Sequence, residues 1–238
     1  MVFRFKQFSV KHSDSALKVG TDAVLLGAWT QAANANHILD IGTGCGIIAL
    51  MLAQRSHGRV TGIEPDNKSY LEAAYNFKKS VWFDRLTAIP VDLSSFVASE
   101  KKKFDLIVSN PPYYQSEAYA YSQLADAPDS RRVQAASQHG LRFDELLGGV
   151  AELLDDNGKF TVIFPYGSKS EFIKNAEQHG LMPNKELDVK SKYHLPYIRS
   201  LIEFGKRKTT NERNELVIYD SEGKRSDAYA QLTADYYL

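Results

Sequence analysis

Residues 38–53, ILDIGTGCGIIALMLA, constrain the fold more than any other stretch of the chain. An apolar strand-like run reaches Asp40, the alternate glycines Gly42, Gly44 and Gly46 follow, and an apolar helix begins with no spacer. Glycine is needed where the backbone turns sharply or meets a ligand through its main chain, because a Cβ would collide. The helix starting there directs free N–H groups and a partial positive charge into the turn. Further along, strand-like runs at 37–41, 59–64, 86–91, 104–109 and 159–164 alternate with helix-like stretches at 47–55, 68–80, 95–102 and 143–154. Strands apolar throughout, alternating with helices, predict a parallel sheet covered on both faces. Right-handed crossovers then give a doubly wound α/β fold.

Both ends depart from this alternation. Gly20-Thr21-Asp22 ahead of AVLLGAW predicts a capped helix lying against the sheet. After the fifth strand, a helix at 169–179 stops at Gly180, and strands at 187–192 and 199–205 are separated only by the short turn YHLP. So short a link cannot cross over, so these two strands must be antiparallel. Beyond Lys208 the chain turns polar, then offers a strand at 216–219 and a short helix near 228–232. The expected organisation is one domain of 1–238, with an N-terminal cap segment (1–36), a core (37–208) and a C-terminal appendage (209–238).

Composition removes several function classes. With 29 Lys+Arg against 29 Asp+Glu, the chain is not a wholly electrostatic nucleic-acid binder. Separate basic clusters remain at Lys101-Lys102-Lys103, Arg131-Arg132, Lys190/Lys192/His194 and Lys206-Arg207-Lys208. No apolar run approaches the roughly 18 residues of a membrane span, and charges interrupt the start MVFRFKQFSVKH, so neither a membrane segment nor a signal peptide is expected. The single cysteine, Cys45, permits no internal disulfide and implies a reducing, cytoplasmic setting. Within the glycine loop it reads as a small tolerated side chain. The six histidines lack ligand spacing and there is no G-x-S-x-G elbow, so no catalytic metal and no serine nucleophile are expected.

The glycine order discriminates between ligands. A dinucleotide fingerprint, G-x-G-x-x-G, lets a pyrophosphate rest on the helix. Here the order is D-x-G-x-G-x-G, and the leading Asp40 would repel a pyrophosphate but suits the α-ammonium of a methionine moiety, directly or through water. Glu64 ends the second strand, where a carboxylate can accept from both ribose hydroxyls. Asp92 follows the third, placed to accept from the exocyclic amine of adenine. The alternative for each is a helix N-cap. The loop resembles the first motif of class I S-adenosylmethionine-dependent methyltransferases, which implies that cofactor.

After the fourth strand comes FDLIVSNPPYYQ, with Asn110, Pro111, Pro112 and Tyr113. Consecutive prolines fix a rigid extended turn, leaving Asn110 and the Pro111 carbonyl little freedom. An amino group conjugated to a base or a carboxamide is a poor nucleophile. Two acceptors, the Asn110 side-chain oxygen and the Pro111 carbonyl, can bind its two N–H groups and favour the tetrahedral nitrogen of the transition state. Tyr113 can stack on a planar substrate swung out of its helix or loop. The segment resembles the [DNS]-P-P-[YFW] motif of amino-methyltransferases. It leaves adenine N6, cytosine N4, guanine N2 and protein glutamine open. Only 37 residues precede Ile38, little for the helical domain of release-factor glutamine methyltransferases, and there is no room for a large DNA target-recognition domain.

QFSVKHSDSALKVGTDAVLLGAW, LDIGTGCG, NPPYY and the ending LTADYYL together are similar to the bacterial tRNA1(Val) adenine-N6-methyltransferases. This resemblance implies a seven-stranded sheet of order 3-2-1-4-5-7-6 with strand 7 antiparallel, and methyl transfer to N6 of adenosine 37 beside the anticodon. It also implies that Thr21, with Lys18 nearby, closes the cofactor site from above at the methionine carboxylate; the alternative is that Thr21 or Asp22 caps the helix. A tRNA partner and a monomeric state are expected. Methylation of another RNA base or a protein glutamine, and an inactive module that only binds cofactor or RNA, remain as alternatives. In the loop after the motif, Arg131, Arg132 and His139 with Tyr119 and Tyr121 form a charge-and-stacking mixture suited to unpaired nucleotides; local pairing of the arginines with Asp126 and Asp129 is the alternative.

Overall fold

The computed structural model describes residues 1–13, 15, 18–111 and 142–238. A short antiparallel hairpin, β1 (Val2–Arg4) and β2 (Ser9–Lys11), opens the chain and leads to α1 (Thr21–Trp29). The parallel series follows as β3 (His37–Ile41), α2 (Ile47–Arg55), β4 (Arg59–Ile63), α3 (Asn67–Lys79), β5 (Leu86–Ile89), α4 (Leu93–Ser99) and β6 (Phe104–Ser109). It resumes with α5 (Phe143–Leu153), β7 (Leu154–Pro165), α6 (Lys169–Gln178), β8 (Met182–Lys190), β9 (Tyr197–Gly205), β10 (Glu212–Val217) and α7 (Asp227–Leu232).

The strands form one sheet of eight, in the order β10-β8-β9-β7-β6-β3-β4-β5. Counted from β3, its first seven strands keep the order that the family resemblance implies, with β9 antiparallel to both β7 and β8. The extra strand is β10, which pairs in parallel with β8 from Glu212↔Lys185 to Val217↔Lys190. Its first four residues are exposed, so its sequence carries little apolar signal; main-chain pairing to an open edge places it there.

Alternate residues of the strands feed two cores, as the two-residue repeat of a strand requires. Ile38, Leu106, Val108 and Ile163 belong to one, packed with α1 and α2. Leu39, Ile107, Val162 and Phe164 belong to the other, packed with α4, α5 and α6. Helix α2 is buried from Ile47 to Ala53 because α1 covers the side turned away from the sheet. The segment after Lys208, read as an appendage, is woven into this layer. Tyr236 is fully buried, its hydroxyl donates to the Met51 carbonyl at 3.2 Å, and its carbonyl accepts from the Lys6 amide at 2.8 Å. Burying one such side chain is worth on the order of 2–3 kcal/mol. No helix among the described residues is long and apolar enough to cross a membrane.

Candidate active site

What fixes the site is that the parallel strands β3, β4, β5 and β6, ending in Ile41, Ile63, Ile89 and Ser109, point their carboxyl ends to one edge. At the first tip the amides of Gly42 and Thr43 both donate to the Ile63 carbonyl at 3.0 Å, pinning the glycine loop to the next strand. Gly42, Gly44 and Gly46 all take positive φ, a region costly for a side chain. Their surroundings differ. A Cβ on Gly46 would lie 2.5 Å from the Phe77 ring, whereas one on Gly42 or Gly44 would meet nothing within 4 Å. The first two glycines therefore border open space, and the third sits against the core. Gly46 is also the N-cap of α2 and supplies no side-chain cap, so the first turn keeps N–H groups directed at the loop.

Asp40 is fully buried and its Oδ2 accepts from the Thr43 hydroxyl at 2.6 Å, while among the described residues Oδ1 has no hydrogen-bond partner. Burial pushes its carboxyl up to about 7, against the pull of the Thr43 bond. Glu64 is half-buried at the β4 tip; its Oε2 accepts from the Gly44 amide at 2.9 Å and its Oε1 from the Asp66 amide at 3.0 Å. Burial raises its pKa too, opposed by those two amides. Asp92 is exposed and caps α4, accepting from the Ser95 amide at 2.8 Å and the Ser94 hydroxyl at 2.8 Å. These bonds, the Ser95 amide first, hold its carboxyl below the ordinary range. The N-cap alternative is thus realised at Asp92, and Asp66 caps α3 in the same way.

Asn110 stands half-buried at the β6 tip, and Pro111 beside it is buried. The preceding residue, Ser109, is fully buried and its hydroxyl donates to the Ile41 carbonyl at 3.0 Å, tying the Asn110 corner to the start of the glycine loop. Pro112, Tyr113, Tyr119, Tyr121, Arg131, Arg132 and His139 lie outside the described residues.

Thr21 begins α1 and is exposed; the N-cap is Gly20, so neither Thr21 nor Asp22 caps the helix. Asp22 instead accepts from Arg199 Nε at 2.9 Å, joining α1 to β9. The exposed Lys18 donates to the Ser13 carbonyl at 2.7 Å. Sequence reasoning missed how this leading segment is held. Buried Glu72 accepts from the Ser13 and Ser15 amides, each at 2.8 Å. Asn76, one turn on, donates to the carbonyls of both Lys11 and Cys45 at 2.8 Å, clamping β2 to the glycine loop. A Glu and an Asn four residues apart among the apolar positions of α3 were the available signal. Cys45 itself is buried, and burial pushes its thiol up to about 12, so it is a packing residue and no nucleophile. Among the described residues no cluster of side chains could hold a metal ion.

Residues 4–128 match the methyltransferase small domain. The chain is 40% identical over 237 residues to a tRNA1(Val) (adenine(37)-N6)-methyltransferase of Bacteroides fragilis, covering 99% of this chain and 97% of that one. The chain belongs to the tRNA1(Val) (adenine(37)-N6)-methyltransferase family. A member from Flavobacterium johnsoniae is 40% identical over 240 residues, covering 100% and 99% of the two chains. One from Pectobacterium carotovorum is 37% identical over 238 residues, covering 99% and 93%. Among solved structures, a protein of Agrobacterium tumefaciens described as a predicted O-methyltransferase shares the fold with a TM-score of 0.70 at 14% identity, over 90% of this chain and 96% of that one. The fold and the family are those of S-adenosylmethionine-dependent methyltransferases. The residues present fit that cofactor: the space beside Gly42 and Gly44 is the kind a Cβ would fill, and the buried Asp40 Oδ1 lacks a donor.

Proposed function

We propose that this chain methylates N6 of adenosine 37 in the anticodon loop of tRNA1(Val). The observation that carries the reading is identity of 37–40% with relatives of that name across nearly the whole of both chains. S-adenosylmethionine supplies an electrophilic methyl group carried on a sulfonium. Gly42 and Gly44 admit it against bare backbone, and Asp40, directly or through water, receives its ammonium group. Glu64 accepts from the ribose hydroxyls with the lone pairs its two amide bonds leave over, and Asp92 faces the adenine amine while it caps α4. Lys18 and Thr21 approach the carboxylate from the leading segment.

On the substrate side, the Asn110 side-chain oxygen and the Pro111 carbonyl accept the two N–H groups of the target amine, with Pro112 stiffening the turn and Tyr113 stacking on the base. As the nitrogen leaves conjugation these acceptors strengthen their hold, which lowers the barrier without a general base; one such group is worth roughly 3–4 kcal/mol. The product ammonium is acidic enough to pass its proton to water. We also read the chain as one catalytic domain acting as a monomer.

A tritiated-methyl assay on separate pools of total tRNA, ribosomal RNA and release factors tests the substrate. Label is expected in tRNA alone. Label confined to ribosomal RNA or to protein would replace the tRNA reading with another amino-methyl transfer.

A further inference from the structure

Four basic clusters are legible in the sequence, and the fold separates them. Lys101-Lys102-Lys103 precede β6 and Lys206-Arg207-Lys208 follow antiparallel β9, so both lie at the amino edge of the sheet, away from Asn110. There Lys206 donates to the Leu154 carbonyl at 2.8 Å. Arg131-Arg132 lie outside the described residues. Lys190/Lys192/His194, by contrast, fall where β8 ends and β9 begins, at the same carboxyl edge as the Asn110 corner.

At that edge the cations meet aromatic rings. Tyr166, directly after β7, stacks on Tyr197, the first residue of β9, with centroids 4.8 Å apart and planes at 28°. The Lys190 ammonium lies 4.4 Å from the Tyr197 ring centre. Tyr193, on the turn between β8 and β9, is 75% exposed, beside exposed His194 and Leu195. β7 is the immediate neighbour of β6, so this surface continues from the Asn110 corner on the side opposite the cofactor acids. Resting on the tRNA reading, we propose that the Tyr166–Tyr197–Tyr193 surface is where unpaired anticodon-loop nucleotides flanking the target adenine stack, with Lys190 and Lys192 along their phosphates.

Stacking outweighs charge in this assignment. Glu215 accepts from the Tyr197 hydroxyl at 2.6 Å and lies 3.6 Å from Lys190, so a carboxylate offsets part of the positive field. Lys169 is likewise committed to Glu186 and Asp188 at 2.7 and 2.6 Å. Rings accept any base face and need no net charge, which suits a chain whose formal charge is zero.

The test is steady-state methylation of tRNA by the full chain and its Tyr193→Ala, Tyr193→Trp and Lys190→Ala/Lys192→Ala variants, with calorimetric donor affinity measured without RNA. Tyr193→Ala should raise the KM for tRNA about tenfold while leaving kcat and donor affinity within about twofold. Tyr193→Trp should restore the KM, a rescue that general damage to the fold would not give. The double lysine variant should flatten the slope of log affinity for tRNA against log salt by about 1.4, at about 0.7 for each of two contacts to an unpaired strand. An unchanged KM for Tyr193→Ala, beside active wild type, overturns the surface and leaves the tRNA reading standing. Wild type that methylates no tRNA overturns both.

Discussion

The two halves of the carboxyl edge are built differently. At the tips of β3, β4 and β5 every acid is already tied by hydrogen bonds: Asp40 to Thr43, Glu64 to Gly44, Asp92 to Ser95. Around β7, β8 and β9 the edge presents rings and long side chains, with Tyr193 largely in solvent. A small cofactor with fixed shape rewards preorganised, partly desolvated groups. A flexible strand of nucleotides rewards open stacking faces. β6 lies between the halves, and Ser109 ties its tip to β3.

This contrast can be broken at graded cost. Asn110→Ala, on the dividing strand, should lower kcat by about 10²–10³-fold with donor affinity nearly unchanged, read from single-turnover methylation and calorimetry. Gly46→Ala combines positive φ with a Cβ 2.5 Å from Phe77. It should cost about 2–4 kcal/mol in urea unfolding. Gly44→Ala should cost only about 1–2 kcal/mol but fill the cradle and weaken donor binding, so equal loss of stability in the two variants would erase the distinction between them. Glu64→Ala should weaken the donor about tenfold to hundredfold in calorimetry without RNA, leaving the tRNA KM near wild type at saturating donor.

A further effect is one of pH. Folded Asp40 titrates near 7 against a reference of 3.8, so the folded state holds a proton that the unfolded chain releases. Stability from this group is complete below pH 3.8, falls as pH rises towards about 7, and is level above it. The slope is at most about 1.4 kcal/mol per pH unit. Asp40→Asn should remove most of that decline between pH 5 and 8 in urea midpoints; raised Glu64 contributes with the same sign and would remain. If an ammonium group does approach Asp40, donor binding near pH 7 should also release protons, visible as a dependence of calorimetric heat on buffer ionisation.

Where local chemistry decides structure, it was readable in advance. β3, α2 and β6 occupy the residues expected from their apolar runs, and β9 is antiparallel because its turn is too short to cross. Of β10 only the apolar end, within the strand expected at 216–219, was legible, because its first four residues are exposed and main-chain pairing to remote β8 places them. The hairpin was not legible, since its two strands have three residues each and are held by pairing to one another. Tyr236 read as part of a tail because nothing local announces burial against Met51. In the site, the acids and glycines announced themselves by spacing. Ser109, Glu72 and Asn76 did not, because their partners, Ile41 and the 11–15 segment, are remote in sequence. The N-cap role of Asp92 was foreseeable from the serines that follow it.

Mass spectrometry of nucleosides from tRNA incubated with the chain and S-adenosylmethionine, beside an Asn110→Ala control, tests the central claim most directly. The predicted result is a gain of N6-methyladenosine in tRNA with the native chain and almost none with the variant. No gain with the native chain, or equal gain with both, would contradict it.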